Sequence, residues 1–237
     1  MKLLNQYKEE ILNAVAFSSY YNRSSDCYLK DRIKKKKFVY YKKGHTQFKT
    51  YEKDSTIYII FEGTNGVSDW KDNFSFYKQA TKIIPYDNAD SDIRVHKGFI
   101  EQYKHVRETI HNIIQFNEYE KVIVTGHSLG GALAILCVVD LQYCFDIKPY
   151  CFAFANPNVG NKAFSKSFKK RIPVFQSFKN RNDVVCNIPL QLFGYKDLGR
   201  IEVESKKKGN IFGFALFGNW QDHYPNRYEQ AIDDLLK

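Results

Sequence analysis

The stretch that decides the fold is Lys121-Val122-Ile123-Val124-Thr125-Gly126-His127-Ser128-Leu129-Gly130-Gly131, running on into Ala132-Leu133-Ala134-Ile135-Leu136. Its first five residues form a short, β-branched apolar run of the kind that makes a strand buried on both faces. From Ala132 to Tyr143 there is neither Pro nor Gly, and the many helix formers predict a helix. Between them, Gly126-x-Ser128-x-Gly130 has the spacing of a sharp strand-to-helix turn that holds a serine hydroxyl in the open. Glycines are required there because neighbouring backbone comes close while the serine itself is strained. The motif alone is weak, and its rival reading is a glycine-rich turn without chemistry. Its place between a buried-type strand and a Pro-free helix is what gives it weight.

Working outward, Thr56-Ile57-Tyr58-Ile59-Ile60-Phe61 is another continuous apolar run, ending at Gly63. Residues 99–116 place Phe99, Tyr103, Val106, Ile110, Ile113 and Ile114 on one helical face. Tyr150 to Phe154 and Val174 to Phe178 read as further strands. Helix and strand alternate from about 57 to 185, which predicts an α/β fold with a mainly parallel central sheet flanked by helices. Upstream, residues 8–21 have helical spacing, and two short strands meet around Gly44. No repeat, linker or low-complexity tract interrupts the chain. Residues 1–237 therefore read as one domain, with an N-terminal helix and a basic hairpin over 1–54.

The composition agrees. The chain has 237 residues and 43% hydrophobic residues, too many for a disordered chain. Five cysteines, odd in number and without a CxxC pair, argue against a disulfide framework or zinc ribbon and read as reduced and buried. No apolar run reaches the ~18–20 residues that span a bilayer, and Met1 to Glu10 lacks a secretory leader's apolar segment. The expectation is a cytoplasmic or membrane-peripheral protein. Net charge is +10, concentrated in Lys30, Arg32, Lys34 to Lys37, Lys42, Lys43 and Lys49. Such a run suits an anionic surface or a solvated strand edge. Nothing matches a nucleic-acid module.

A serine on such a turn needs an acid and a histidine, in the chain order Ser, acid, His. Of six histidines, only His223 follows Ser128, so His223 is the candidate base; His127 adjoins the serine and should point away from it. The carboxylates between them are Asp140, Asp146, Asp183, Asp197, Glu202, Glu204 and Asp222; Asp140 and Asp146 belong to the helix and its exit, and Asp222 adjoins His223. Asp183 follows the strand ending near Phe178, and active-site groups of open α/β sheets collect at strand carboxyl ends. Asp183 is the candidate acid.

These segments resemble the class 3 (fungal-type) lipase family of α/β-hydrolases over about residues 55–228. Phe61-Glu62-Gly63-Thr64 is similar to that family's Phe-Arg-Gly-Ser/Thr block, and Val95-His96-Lys97-Gly98-Phe99 to its Val-His-x-Gly-Phe. Ala155-Asn156-Pro157-Asn158-Val159-Gly160-Asn161 resembles Gly-x-Pro-Arg-Val-Gly-Asn, and Asn182 to Pro189 resembles Asn-Asp-x-Val-Pro-x-Leu-Pro, whose Asp is the triad acid. His223 with Tyr224 and Tyr228 is similar to the C-terminal catalytic His region. Glu62 replaces the usual Arg, which bears on any ion pair tethering that loop; Ala155, Asn158 and Cys186 replace Gly, Arg and Pro.

The resemblance implies an ester hydrolase acting on acylglycerols or related lipids, with Ser128, Asp183 and His223 as triad. It implies an oxyanion hole from the N–H groups of Leu129 and Thr64, and a lid around Trp70 and Phe74 whose alternative is a core-covering helix. No metal or organic cofactor is implied. A phospholipase or short-chain esterase would use the same machinery, and the rival of another class is a catalytically silent interaction module. Lys206 to Lys208, leading into the apolar stretch Ile211 to Trp220, adds a second candidate lipid contact.

Overall fold

The computed structural model describes residues 2–20, 27–63, 80–81, 92–205 and 220–237. At its centre is a seven-stranded sheet whose spatial order follows the chain. The strands are β1 (Val39–Lys43), β2 (Thr46–Lys53), β3 (Thr56–Phe61), β4 (Lys121–His127), β5 (Tyr150–Phe154), β6 (Phe175–Asn180) and β7 (Ile201–Val203). β1, β2 and β3 are antiparallel neighbours, whereas every pair from β3 to β7 is parallel. Parallel neighbours need crossovers. Helices α2 (Lys97–Gln115), α3 (Leu129–Phe145) and α4 (Lys162–Arg171) lie in three of them, while α1 (Lys8–Ser19) and α5 (Pro225–Leu235) bracket the chain.

Side-chain alternation splits the sheet's apolar residues into two cores. Ile57, Ile59, Phe61, Val122, Val124, Cys151 and Ala153 pack with α2 and α3. Tyr58, Ile60, Ile123, Phe152, Phe154 and Phe178 pack on the other face with α1 and α5. Burial on both faces is why these strands read as unbroken apolar runs. α3 is buried at every position from Leu129 to Leu141, as an all-round apolar helix between a sheet and a second helix must be. A small sheet of residues 80–81, 95–96, 160–161 and 195–196, not foreseen from sequence, pins the entrance of α2 against the chain after β5.

The basic hairpin forms the exposed antiparallel edge, and Lys34, Lys35, Lys37, Lys42 and Lys43 are exposed. Lys49 departs from that grouping because it is buried. All five cysteines are free, but Cys144 is exposed, which corrects the expectation that the α3 cysteines are all buried. It sits where α3 runs out of core, beyond Leu141. No helix among the described residues is long and apolar enough to cross a membrane.

Candidate active site

Ser128 stands between β4 and α3 with φ 60° and ψ −126°, a left-handed conformation that strains any residue with a Cβ. Its N–H donates to the Phe154 carbonyl on β5 at 2.9 Å, and its own carbonyl accepts from Gly131 at 3.0 Å. The glycines are steric requirements. A methyl group on Gly126 would lie 2.3 Å from the Gly130 carbonyl, and one on Gly130 would lie 2.4 Å from the Phe61 oxygen. The turn is therefore wedged between its own first helical residues and the exit of β3.

Two further loops close on the serine. Asp183 follows β6, and His223 ends a short turn over Trp220–His223 before α5. His223 Nε2 lies 2.8 Å from Ser128 Oγ, and Nδ1 lies 2.9 Å from Asp183 Oδ2. The structure thus brings together the three residues singled out from sequence. Ser128 is 4% exposed, His223 9% and Asp183 0%, so proton exchange along this chain is shielded from bulk water.

The carboxylate is held by more than the histidine. Tyr228 Oη donates to Asp183 Oδ2 at 2.6 Å, and the Val185 N–H donates to Oδ1 at 2.9 Å. Tyr228 in turn accepts from the Asn180 N–H at 2.8 Å, while Asn180 Nδ2 donates to the Asp222 carbonyl at 3.0 Å. Burial alone would raise the Asp183 pKa. The charge and N–H of His223, the Tyr228 hydroxyl and the Val185 N–H outweigh burial and hold the carboxyl below its usual range. It stays ionised and fixes which His223 nitrogen carries the proton.

His127, which the sequence reading points away from Ser128, borders the site at the histidine. Its buried ring packs 4.8 Å from that of His223 and 5.5 Å from that of Tyr228. Burial, then His223, push its pKa down to about 3, so it presents a neutral face to the imidazole. Sequence reasoning also missed the roles of Tyr228 and Asn180. Their signal is tertiary, since α5 delivers the tyrosine from 45 residues beyond Asp183.

Leu129 contributes the first N–H of α3, which the helical ladder leaves without a partner, and the residue itself is buried. Thr64 lies outside the described residues, as do Trp70, Phe74 and the stretch 206–219.

A second buried acid lies away from this site. His111, Asp140 and Cys144 bring their ligand atoms within 4.8 Å of one another. Both Asp140 oxygens, however, already accept from Arg107, at 2.9 to 3.1 Å. The guanidinium occupies the cation's place, and this cluster is an ion-pair network.

Comparison with known proteins follows the same outline. A family model described as Lipase (class 3) matches residues 58–193. A lipase from Rhizomucor miehei is 31% identical over 156 residues, covering 62% of this chain and 41% of that protein. A lipase from Rhizopus niveus is 35% identical over 156 residues, covering 61% and 37%. The crystal structure of the lipase from Rhizopus microsporus var. chinensis superposes with a TM-score of 0.71 at 27% identity, over 92% of this chain and 85% of that one. The alignments span about two fifths of the length of the two curated relatives.

Proposed function

This chain belongs to the class 3 lipase family, and on that footing we propose that it hydrolyses carboxylic esters of lipids, acylglycerols first among them, through an acyl-enzyme. The observation that carries the reading is the unbroken hydrogen-bonded chain from Ser128 Oγ through His223 to Asp183. Ser128 attacks the ester carbonyl while His223 Nε2 takes its proton. His223 then delivers that proton to the leaving alcohol, and water enters by the reverse route to release the acid. Asp183 holds the imidazole in the right tautomer and stabilises it when charged. The N–H groups of Leu129 and Thr64 receive the oxyanion, each worth about 2.7–4 kcal/mol in the transition state.

Trp70 and Phe74 belong to the proposed lid, apolar residues in a polar stretch that would cover the site and meet lipid. The net charge of +10 and the exposed lysines of the hairpin support contact with an anionic lipid surface.

A fluorophosphonate tests the reading directly. It should label Ser128 stoichiometrically, in parallel with hydrolysis of a soluble nitrophenyl ester. His223→Ala should abolish both. Labelling at an unchanged rate in that variant would refute His223 as the base.

A further inference from the structure

Lys49 stands on β2 opposite Ile60 of β3, with a side chain only 1% exposed. Its ammonium donates to the Tyr20 carbonyl and lies 5.3, 5.4 and 5.9 Å from the ring centroids of Tyr20, Phe38 and Tyr40. Ring faces and a carbonyl attract a cation without neutralising it. The carboxylate that does so is Glu62, whose Oε1 lies 3.7 Å from Nζ. That oxygen is buried and accepts no hydrogen bond among the described residues, so Lys49 is its electrostatic partner there.

Glu62 directly follows β3, and its N–H donates to the Gln47 carbonyl at 3.1 Å. A methyl group on Gly130 would come within 2.4 Å of the Phe61 oxygen and 3.1 Å of the Glu62 carbonyl carbon. The turn bearing Ser128 therefore rests on the backbone that carries Glu62. Leu129 is one residue from that contact.

We infer that the Lys49–Glu62 ion pair positions the turn that carries Ser128 and the Leu129 N–H, by pinning the exit of β3 on which Gly130 packs. The inference rests on the ester-hydrolase reading above. Neither side chain touches the reacting atoms; both act through the backbone they hold. The charge matters as well as the shape, because a neutral Lys49 would leave the buried Oε1 of Glu62 without its cation.

Burial pulls the Lys49 amine down to about 8, and Glu62 is the main force opposing that shift. The titratable groups facing it, among the described residues, are Glu62, the Cys27 thiol and the phenols of Tyr20 and Tyr40. Burial and then Glu229 push Cys27 up to about 12, so the thiol stays protonated while Lys49 titrates. On the positioning role, turnover declines on the alkaline side as Lys49 loses its proton.

The test is a pH profile of kcat and KM on a soluble short-chain ester for the parent, Glu62→Gln and Lys49→Met. The parent should lose kcat with a midpoint near pH 8 while KM holds. Glu62→Gln keeps the shape of the side chain. It should lower kcat about tenfold at neutral pH, within the ~10²-fold that an ångström of misplacement costs. Its midpoint should also move to lower pH, because the cation has lost its carboxylate. Lys49→Met, where it folds, should show low kcat and no alkaline midpoint. An NMR titration of labelled lysine follows the Lys49 amine independently of turnover and should show the same downward move in Glu62→Gln. An active parent whose kcat and midpoint are unchanged by Glu62→Gln would overturn the positioning role alone. An inactive parent would bring down the ester-hydrolase reading and the positioning role with it.

Discussion

Two buried aspartates in this molecule sit in almost the same company. Asp183 accepts from Tyr228 Oη at 2.6 Å and lies 2.9 Å from a ring nitrogen of His223. Asp140 accepts from Tyr103 Oη at 2.7 Å and lies 2.7 Å from a ring nitrogen of His111. Each carboxyl is held below its usual range against the opposing effect of burial. What separates them is a permanent cation beside one and a serine hydroxyl beyond the histidine of the other. Arg107 satisfies both oxygens of Asp140, so its charge balance survives whatever His111 does. Among the described residues no arginine partners Asp183, and the far nitrogen of its histidine faces Ser128. An Asp–His–Tyr cluster is therefore not a site in itself; the acid must be left for the histidine to balance.

The largest effect expected from this contrast is on turnover. Ser128→Ala should reduce ester hydrolysis by about 10⁴-fold or more, because triad members act as a unit. Its thermal unfolding should stay near that of the parent. Arg107→Met should do the opposite, leaving kcat within about threefold. It should lower stability by about 2–3 kcal/mol, the cost of stranding the buried Asp140 charge, reduced because Arg107 is partly open to water. Measuring unfolding and hydrolysis on both variants checks the pair of outcomes. A large turnover loss in a folded Arg107→Met protein would dissolve the distinction drawn here.

A smaller effect sharpens the roles of the acids. Asp183→Asn should cut kcat about 10³–10⁴-fold by favouring the wrong His223 tautomer, while Asp140→Asn should act on stability alone. Steady-state kinetics on the two variants decide this.

The smallest effect lies in pH dependence. A carboxyl with a lowered folded pKa contributes stability that is present above its unfolded value and lost as pH falls through the folded value. Tyr228→Phe and Tyr103→Phe each remove one hydrogen bond to an acid, worth about 1 kcal/mol. Each should raise the corresponding acid's pKa, so that acid-side loss of stability begins at higher pH. Only Tyr228→Phe should also lower kcat. Unfolding midpoints through the acid range, with kcat measured alongside, test both variants.

Much of this was legible along the chain. The buried strands announce themselves as runs of Ile, Val and Phe because both faces of the sheet are covered, and periods of two and 3.6 residues are local properties. Gly126 and Gly130 are readable because the clash they avoid lies within four residues and with the neighbouring strand. That His223 alone follows Ser128 reduced the choice of base to one residue by order alone. The exposed position of Cys144 and the burial of Lys49 were not legible. Each depends on where the neighbouring elements end.

By itself, then, the sequence determined the parallel α/β sheet, the strained turn at Ser128 and the candidates for the acid and base that the structure brings to it. Those follow from backbone sterics, apolar period and chain order, which need no partner distant in sequence. Only the tertiary structure decided that Tyr228 and Asn180 hold the acid in place, that His127 stays neutral beside His223, and that Asp140 is locked by Arg107. It alone also set Lys49 against Glu62. The physical reason is common to all four. A polar side chain acquires its role from the partner that folding places within about 3–4 Å of it and from the water that folding takes away, and neither is written in the residues on either side of it.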